Sequence, residues 1–83
     1  MQVTTPITAQ KIRATTDALV IVLAERSISI PWNECSTKLT QASPDQRKDA
    51  ELSPGGYGIH WPQLDEDLSI NGLILVHDSR VKP

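Results

Sequence analysis

Residues 55–68 gather most of the side chains able to do chemistry. The run holds three of the four glycines, the only tyrosine, one of two tryptophans, one of two histidines and three consecutive acids. Three chemistries suit such a set. His60, Asp65 and Asp67 offer one nitrogen and two carboxylates to a divalent ion. Their spacing matches neither the His-Glu-x-x-His helix nor a calcium loop. The simpler reading is a hydrated acidic loop, with one carboxylate bonded to His60 or to a backbone N–H. Gly55, Gly56 and Gly58 suggest a phosphate cradle, but no lysine follows, no helix opens after them, and the acids would repel phosphate. His60 has the chemistry of a general base, yet nothing supplies a nucleophile or an oxyanion hole. Cys35, the single cysteine, lacks an identifiable activating base. The residues therefore predict no enzyme, no cofactor and no required metal.

The elements that position this run follow from periodicity. Residues 10–15 alternate, with Ile12 and Ala14 on one face and Lys11 and Arg13 on the other, as in a half-buried strand. Residues 19–23 are apolar on both faces and β-branched at three positions, which suits a central strand covered on both sides or flanked by long neighbours. Residues 27–30 alternate until Pro31. These three segments read as an antiparallel meander. Trp32, Cys35, Leu39 and Ala42 recur at helical spacing and predict an amphipathic helix over residues 32–42 whose apolar stripe packs on the sheet. Ser43, Pro44 and Gln46 form a capping-box signature for a short helix from Pro44 to about Ala50.

Gly55-Gly56 then bends the chain. Residues 57–61 predict a fourth strand with Tyr57, Ile59 and Trp61 on one face and Gly58 and His60 on the other. Gly58 within a strand implies a close neighbour or a bulge. Leu64 and Leu68 reach back to the core while Asp65, Glu66 and Asp67 stay in water. Asn71-Gly72 invites a hairpin between residues 68–70 and 73–76. A helical turn starting at Ser69 is equally compatible with the local sequence. The fold class is α+β: a small antiparallel sheet, a three-stranded meander plus a fourth strand, with two short helices packed on it. Residues 1–9 read as a flexible arm, 10–74 as one domain and 75–83 as a tail.

Composition narrows the function classes. With 83 residues the chain fits one small domain. It contains no phenylalanine, so aliphatics must build the core. The net charge of −2 is too balanced for a nucleic-acid footprint. Residues 1–50 carry six bases and five acids (+1), and residues 51–83 two bases and five acids (−3). A lone cysteine permits no intrachain disulfide and suits the cytoplasm. The N-terminus lacks signal-peptide character, and no apolar run is long enough for a membrane span.

The run Gly56-Tyr57-Gly58-Ile59-His60-Trp61-Pro62, followed by Leu64-Asp65-Glu66-Asp67-Leu68-Ser69-Ile70 and Gly72-Leu73, closely resembles the hallmark of the domain of unknown function 2442 family. The meander leading into Pro31-Trp32, the capped Ala42-Ser43-Pro44 and the following Arg47 also fit. The resemblance covers residues 10–74. It departs at Glu25-Arg26, which lacks the usual glycine, at Ala50 and Leu52, where bulkier residues are common, and at Pro54. The resemblance implies a compact sheet with helices on one side. Members are often encoded beside a second small domain suspected of being a toxin, which implies an antitoxin-like module binding a small protein partner. Some relatives carry a helix-turn-helix module, which makes a nucleic-acid-binding regulator the alternative. The family has no established catalytic residues to transfer. The candidate partner-binding residues are Tyr57, His60, Asp65, Glu66 and Asp67, with oligomeric state left open.

Overall fold

The computed structural model describes residues 7–77. Residues 1–6 of the expected arm and 78–83 of the expected tail lie outside the described residues. The meander forms as the alternation predicts: β1 (Lys11–Ala14), β2 (Ala18–Val22) and β3 (Ser27–Pro31) pair antiparallel in that order. The register sets Ile12 opposite Ile21 and Ile21 opposite Ile28, so one face is aliphatic and turns toward the core. The other face sets Arg13 opposite Val20 and Val20 opposite Ser29. Val20 is buried there although it lies outside the core cluster.

The helix expected over residues 32–42 is broken in two. α1 (Trp32–Cys35) and α2 (Thr37–Gln41) flank Ser36, which is extended at φ −169° and ψ 164°. Ser36 turns its hydroxyl to the N–H of Leu39 and caps α2 afresh. Asn33, Cys35, Ser36 and Thr37 are all mediocre helix formers, so a new cap outweighs a continuous run. The buried stripe survives the break, with Trp32 and Leu39 in the core. The third helix, α3 (Pro44–Lys48), has both bonds of its capping box: Gln46 N–H to Ser43 Oγ at 3.2 Å, and Ser43 N–H to Gln46 Oε1 at 2.9 Å.

The fourth strand also forms, but it does not extend the meander. β4 (Glu51–Leu52), β5 (Gly58–Trp61) and β6 (Glu66–Ser69) make a second antiparallel sheet with β5 in the middle. Gly58 does have the close neighbour its position implies, since a Cβ there would lie 3.3 Å from Leu68 O. Ile59 and Trp61 face inward and are buried, and Leu64 and Leu68 pack on the core as expected. Asn71-Gly72 makes no hairpin. α4 (Ile70–His77) begins there instead, with Ser69 Oγ accepting the Gly72 N–H at 3.1 Å. Burying Ile70, Leu73 and Ile74 on one helical face gives a larger apolar gain than the local turn preference.

Both sheets and the helices α1, α2 and α4 share one core of Leu19, Ile21, Leu23, Ile30, Trp32, Leu39, Ile59, Trp61, Ile70, Leu73 and Ile74, with Ala9 in the same cluster. Ala9, counted with the arm in the sequence reading, is buried and donates its N–H to Gly56 O at 2.8 Å. Gly56 sits at φ +76°, and a Cβ on it would fall 2.1 Å from Ala9 O. Only glycine accepts both the backbone angle and the crossing chain.

Two stability outcomes follow. Trp61→Ala removes a fully buried indole and should cost about 3–5 kcal/mol in chemical denaturation; a near-unchanged midpoint would contradict its place in the core. Gly56→Ala should cost about 1–3 kcal/mol through strain alone, and a melting temperature equal to the parent's would show that Ala9 does not need that close approach.

Candidate functional site

The alternation of β5 sorts the dense run into two sets. Ile59 and Trp61 point into the core; Gly58 and His60 point out. β6 is paired so that His60 stands opposite Asp67 and Trp61 opposite Glu66. A cross-strand pair on one face lies within side-chain reach, and His60 Nδ1 meets Asp67 Oδ1 at 2.8 Å. This is the carboxylate–histidine bond the sequence allowed as the simpler reading. The side chains are 39% and 74% exposed, so the pair is a surface feature with both partners open to solvent. On the other flank β4 sets Glu51 opposite His60. The outer face of the second sheet thus carries Glu51, His60 and Asp67 across its three strands.

The three consecutive acids do not form one patch. Glu66 falls on the same side of β6 as Leu68, opposite Trp61, and is half-buried. Asp67 is on the outer side. Asp65 occupies the β5–β6 turn at φ +50°, a conformation that aspartate and asparagine tolerate better than most residues. Lys38 on α2 fixes this turn from beneath: its Nζ donates to Leu64 O at 3.2 Å and to Asp65 O at 3.1 Å. Among the described residues no group of three His, Cys, Asp or Glu side chains is placed to hold a metal ion, and no cavity opens.

Tyr57 departs from the expected alternation. It lies in right-handed helical backbone at φ −87°, ψ −26°, after a type II turn in which Gly56 donates its N–H to Ser53 O at 2.9 Å and Gly55 sits at φ +83°. It does not join Ile59 and Trp61 inside; it is 57% exposed. Its ring lies over Gly55, where a Cβ would come within 2.6 Å of the ring. The missing side chain of Gly55 therefore seats an exposed aromatic at the rim of the sheet, beside the start of α4, whose Ile70 N–H donates to Tyr57 O. Sequence alternation alone missed this. The cue that favoured it was the double glycine directly before the tyrosine, which makes left-handed backbone and an abrupt change of direction available.

Two other reactive or basic groups, Cys35 and Arg47, are committed to structure. Cys35 is half-buried, and its thiol lies 3.5 Å from Pro31 O and 3.8 Å from Ile30 O. Burial, with the nearby Glu34 charge, pushes its pKa up to about 11, the opposite of what a nucleophile needs. Arg47 spends its guanidinium on Leu39 O and Thr40 O. Lys11 and Arg13 are exposed together on the outer face of the first sheet.

Comparison with curated proteins gives no match. Among solved structures, a crystal structure of a protein of unknown function from Rhodospirillum rubrum is 27% identical, with a TM-score of 0.76 over 94% of this chain and 100% of that one. A solution NMR structure of an uncharacterised protein from Chromobacterium violaceum is also 27% identical, with a TM-score of 0.67; the match takes in 81% of this chain but only 63% of that longer one. The model of the family described as protein of unknown function, DUF2442, matches residues 9–75, which run from the buried Ala9 through both sheets into α4, and on that match the chain belongs to this family.

Proposed function

We propose that the protein is a non-enzymatic, antitoxin-like binding module that covers a small cognate protein in the cytoplasm. The observation that carries this reading is the outer face of the second sheet. There His60, Asp67 and Glu51 share one outer face, and an exposed Tyr57, seated over Gly55, immediately precedes β5. Tyrosine is a preferred anchor at interfaces, because it buries much area for little conformational entropy. Flanking carboxylates steer a basic partner and fix its orientation. Asp65 stands at the rim in the turn held by Lys38. Glu66, on the opposite side of its strand, has no part in this face. The antitoxin-like role itself comes from the family resemblance, and a basic, nucleic-acid-acting partner would suit the acidic rim.

A nucleic-acid-binding regulator is the second reading, favoured by the exposed pair Lys11 and Arg13. Two phosphate contacts would give a salt slope of only about −2 in log units. Lys38 and Arg47 are already spent on backbone carbonyls. Protein binding is therefore the stronger reading.

The decisive experiment is co-expression with the product of the adjacent gene, followed by affinity measurement. Tyr57→Ala should weaken binding roughly tenfold or more. Asp67→Asn should slow association and flatten its salt dependence, while Glu66→Gln should leave affinity unchanged. No complex with the unmodified chain would remove that neighbour as the partner. Equal affinity for the Tyr57 and Asp67 variants would move the interface elsewhere. Salt-sensitive binding to duplex DNA that is lost on changing Lys11 and Arg13 to glutamine would favour the second reading.

The thiol gives an independent check on the absence of nucleophilic chemistry. With its pKa raised from 9.0 to about 11, Cys35 in the folded protein should alkylate ever faster with pH and reach no plateau near pH 9, whereas the unfolded chain should level off there. The linkage has a definite sign. Between these two values the unfolded state has lost the proton that the folded state keeps, so stability should fall as pH rises through that window. A folded-state labelling plateau at neutral pH would instead mark an activated thiolate.

A further inference from the structure

Asn71-Gly72 is the one Asn–Gly step in the chain. It is a turn signal that the fold places in the first turn of α4, and the binding reading makes no use of it. The step has its own chemistry. Because glycine has no Cβ, its deprotonated amide nitrogen approaches the preceding carboxamide carbon easily. An N–C bond closes a five-membered imide, ammonia leaves, and water then opens the ring to aspartate or isoaspartate.

We propose that Asn71 is a latent deamidation site, locked by the folded state and released when the first turn of α4 opens. Three contacts supply the lock. The Gly72 N–H, whose nitrogen must attack, is turned to Ser69 Oγ at 3.1 Å. The Asn71 carboxamide, which must rotate to be attacked, accepts the Ile7 N–H through Oδ1 at 3.2 Å. The turn itself is pinned on both sides of the step, by Ile70, fully buried and donating its N–H to Tyr57 O, and by Leu73, 7% exposed. In the folded chain the nucleophile therefore points at the wrong atom.

The two products have different consequences. Aspartate keeps an oxygen for the Ile7 N–H and places negative charge near the helix N-terminus, where it is favoured. Isoaspartate inserts a methylene into the backbone. That breaks the spacing between the Ser69 cap and Gly72 and carries Leu73 and Ile74 out of phase with the core. Each opening of α4 thus risks a covalent mark that prevents the same helix from re-forming.

The test follows conversion of Asn71 by peptide mapping and mass spectrometry of the full chain in mildly alkaline buffer, with and without urea. The folded chain should convert on the order of tenfold more slowly or better, because reaction proceeds only from the open fraction. Ser69→Ala should speed conversion without urea and leave the rate in urea unchanged. Gly72→Ala keeps the fold, since its Cβ would sit 3.5 Å from Ser69 Cβ in ordinary contact; it should slow conversion in urea, which identifies the step even if the serine variant fails to fold. Equal rates with and without urea for the unmodified chain would overturn the proposal. So would a folded Ser69→Ala chain converting no faster than its parent.

Discussion

The rings of Trp32 and Trp61 meet edge to face, 6.5 Å between centroids and 81° between planes, and the rest of the fold depends on this contact. A buried indole brings a large apolar surface and one N–H that must find an acceptor. Trp32 donates to Thr15 O in the β1–β2 turn; Trp61 donates to Arg47 O in α3. Arg47 in turn places its guanidinium 5.4 Å from the Trp32 ring and closes the C-terminal carbonyls of α2. The chain has three aromatic residues and no phenylalanine. This one cluster therefore ties the meander, the second sheet, α2 and α3 together. Among the described residues, no buried side-chain nitrogen or oxygen is left without a partner, as a core this small requires.

This cluster explains which parts of the fold were legible in the sequence. Alternation in the outer strands β1 and β3 and the unbroken apolar, β-branched run of β2 exposed the meander. The capping box exposed α3, because its two bonds join residues three apart. Trp61 and Ile59 were legible as core for the same reason as the meander. The second sheet was not. Its outer strand β4 has two residues, too few for any periodicity, and its pairing with β5 spans a turn built on two glycines. The break at Ser36 was hidden because a stripe at helical spacing looks the same whether or not the helix is continuous. At Asn71-Gly72 the sequence left a hairpin and a helical turn at Ser69 both open, and the burial of Leu73 and Ile74, which no local window weighs, decided for the helix.

The candidate site was legible in part for a related reason. His60 alternates with buried Ile59 and Trp61, and Asp67 with half-buried Glu66 and Leu68, so their bond was foreseeable once the strands paired. Grouping Asp65, Glu66 and Asp67 by adjacency was misleading. Consecutive residues on a strand point to opposite faces, and the turn gives Asp65 a third direction. Tyr57 needed the three-dimensional structure, since its exposure depends on left-handed backbone at Gly55 and Gly56 immediately before it.

Strand β5 therefore serves two requirements at once. Trp61 and His60 are neighbours in sequence, one fully buried and the other on the surface. A slip of one residue in the pairing of β5 would exchange them, placing an imidazole against Trp32 and an indole in water, so the core enforces the register of the outer face. Lys38 adds a second constraint by holding the carbonyls of the β5–β6 turn, and Gly55 adds a third by seating the tyrosine ring. On the proposed binding reading, a surface ordered by its own core would have less freedom to lose on association. Several of the unusual residues in the hallmark run have structural roles. Glycine is required where the chain turns and crosses, tryptophan where the sheets meet, and the polar residues occupy the positions that this register leaves facing outward.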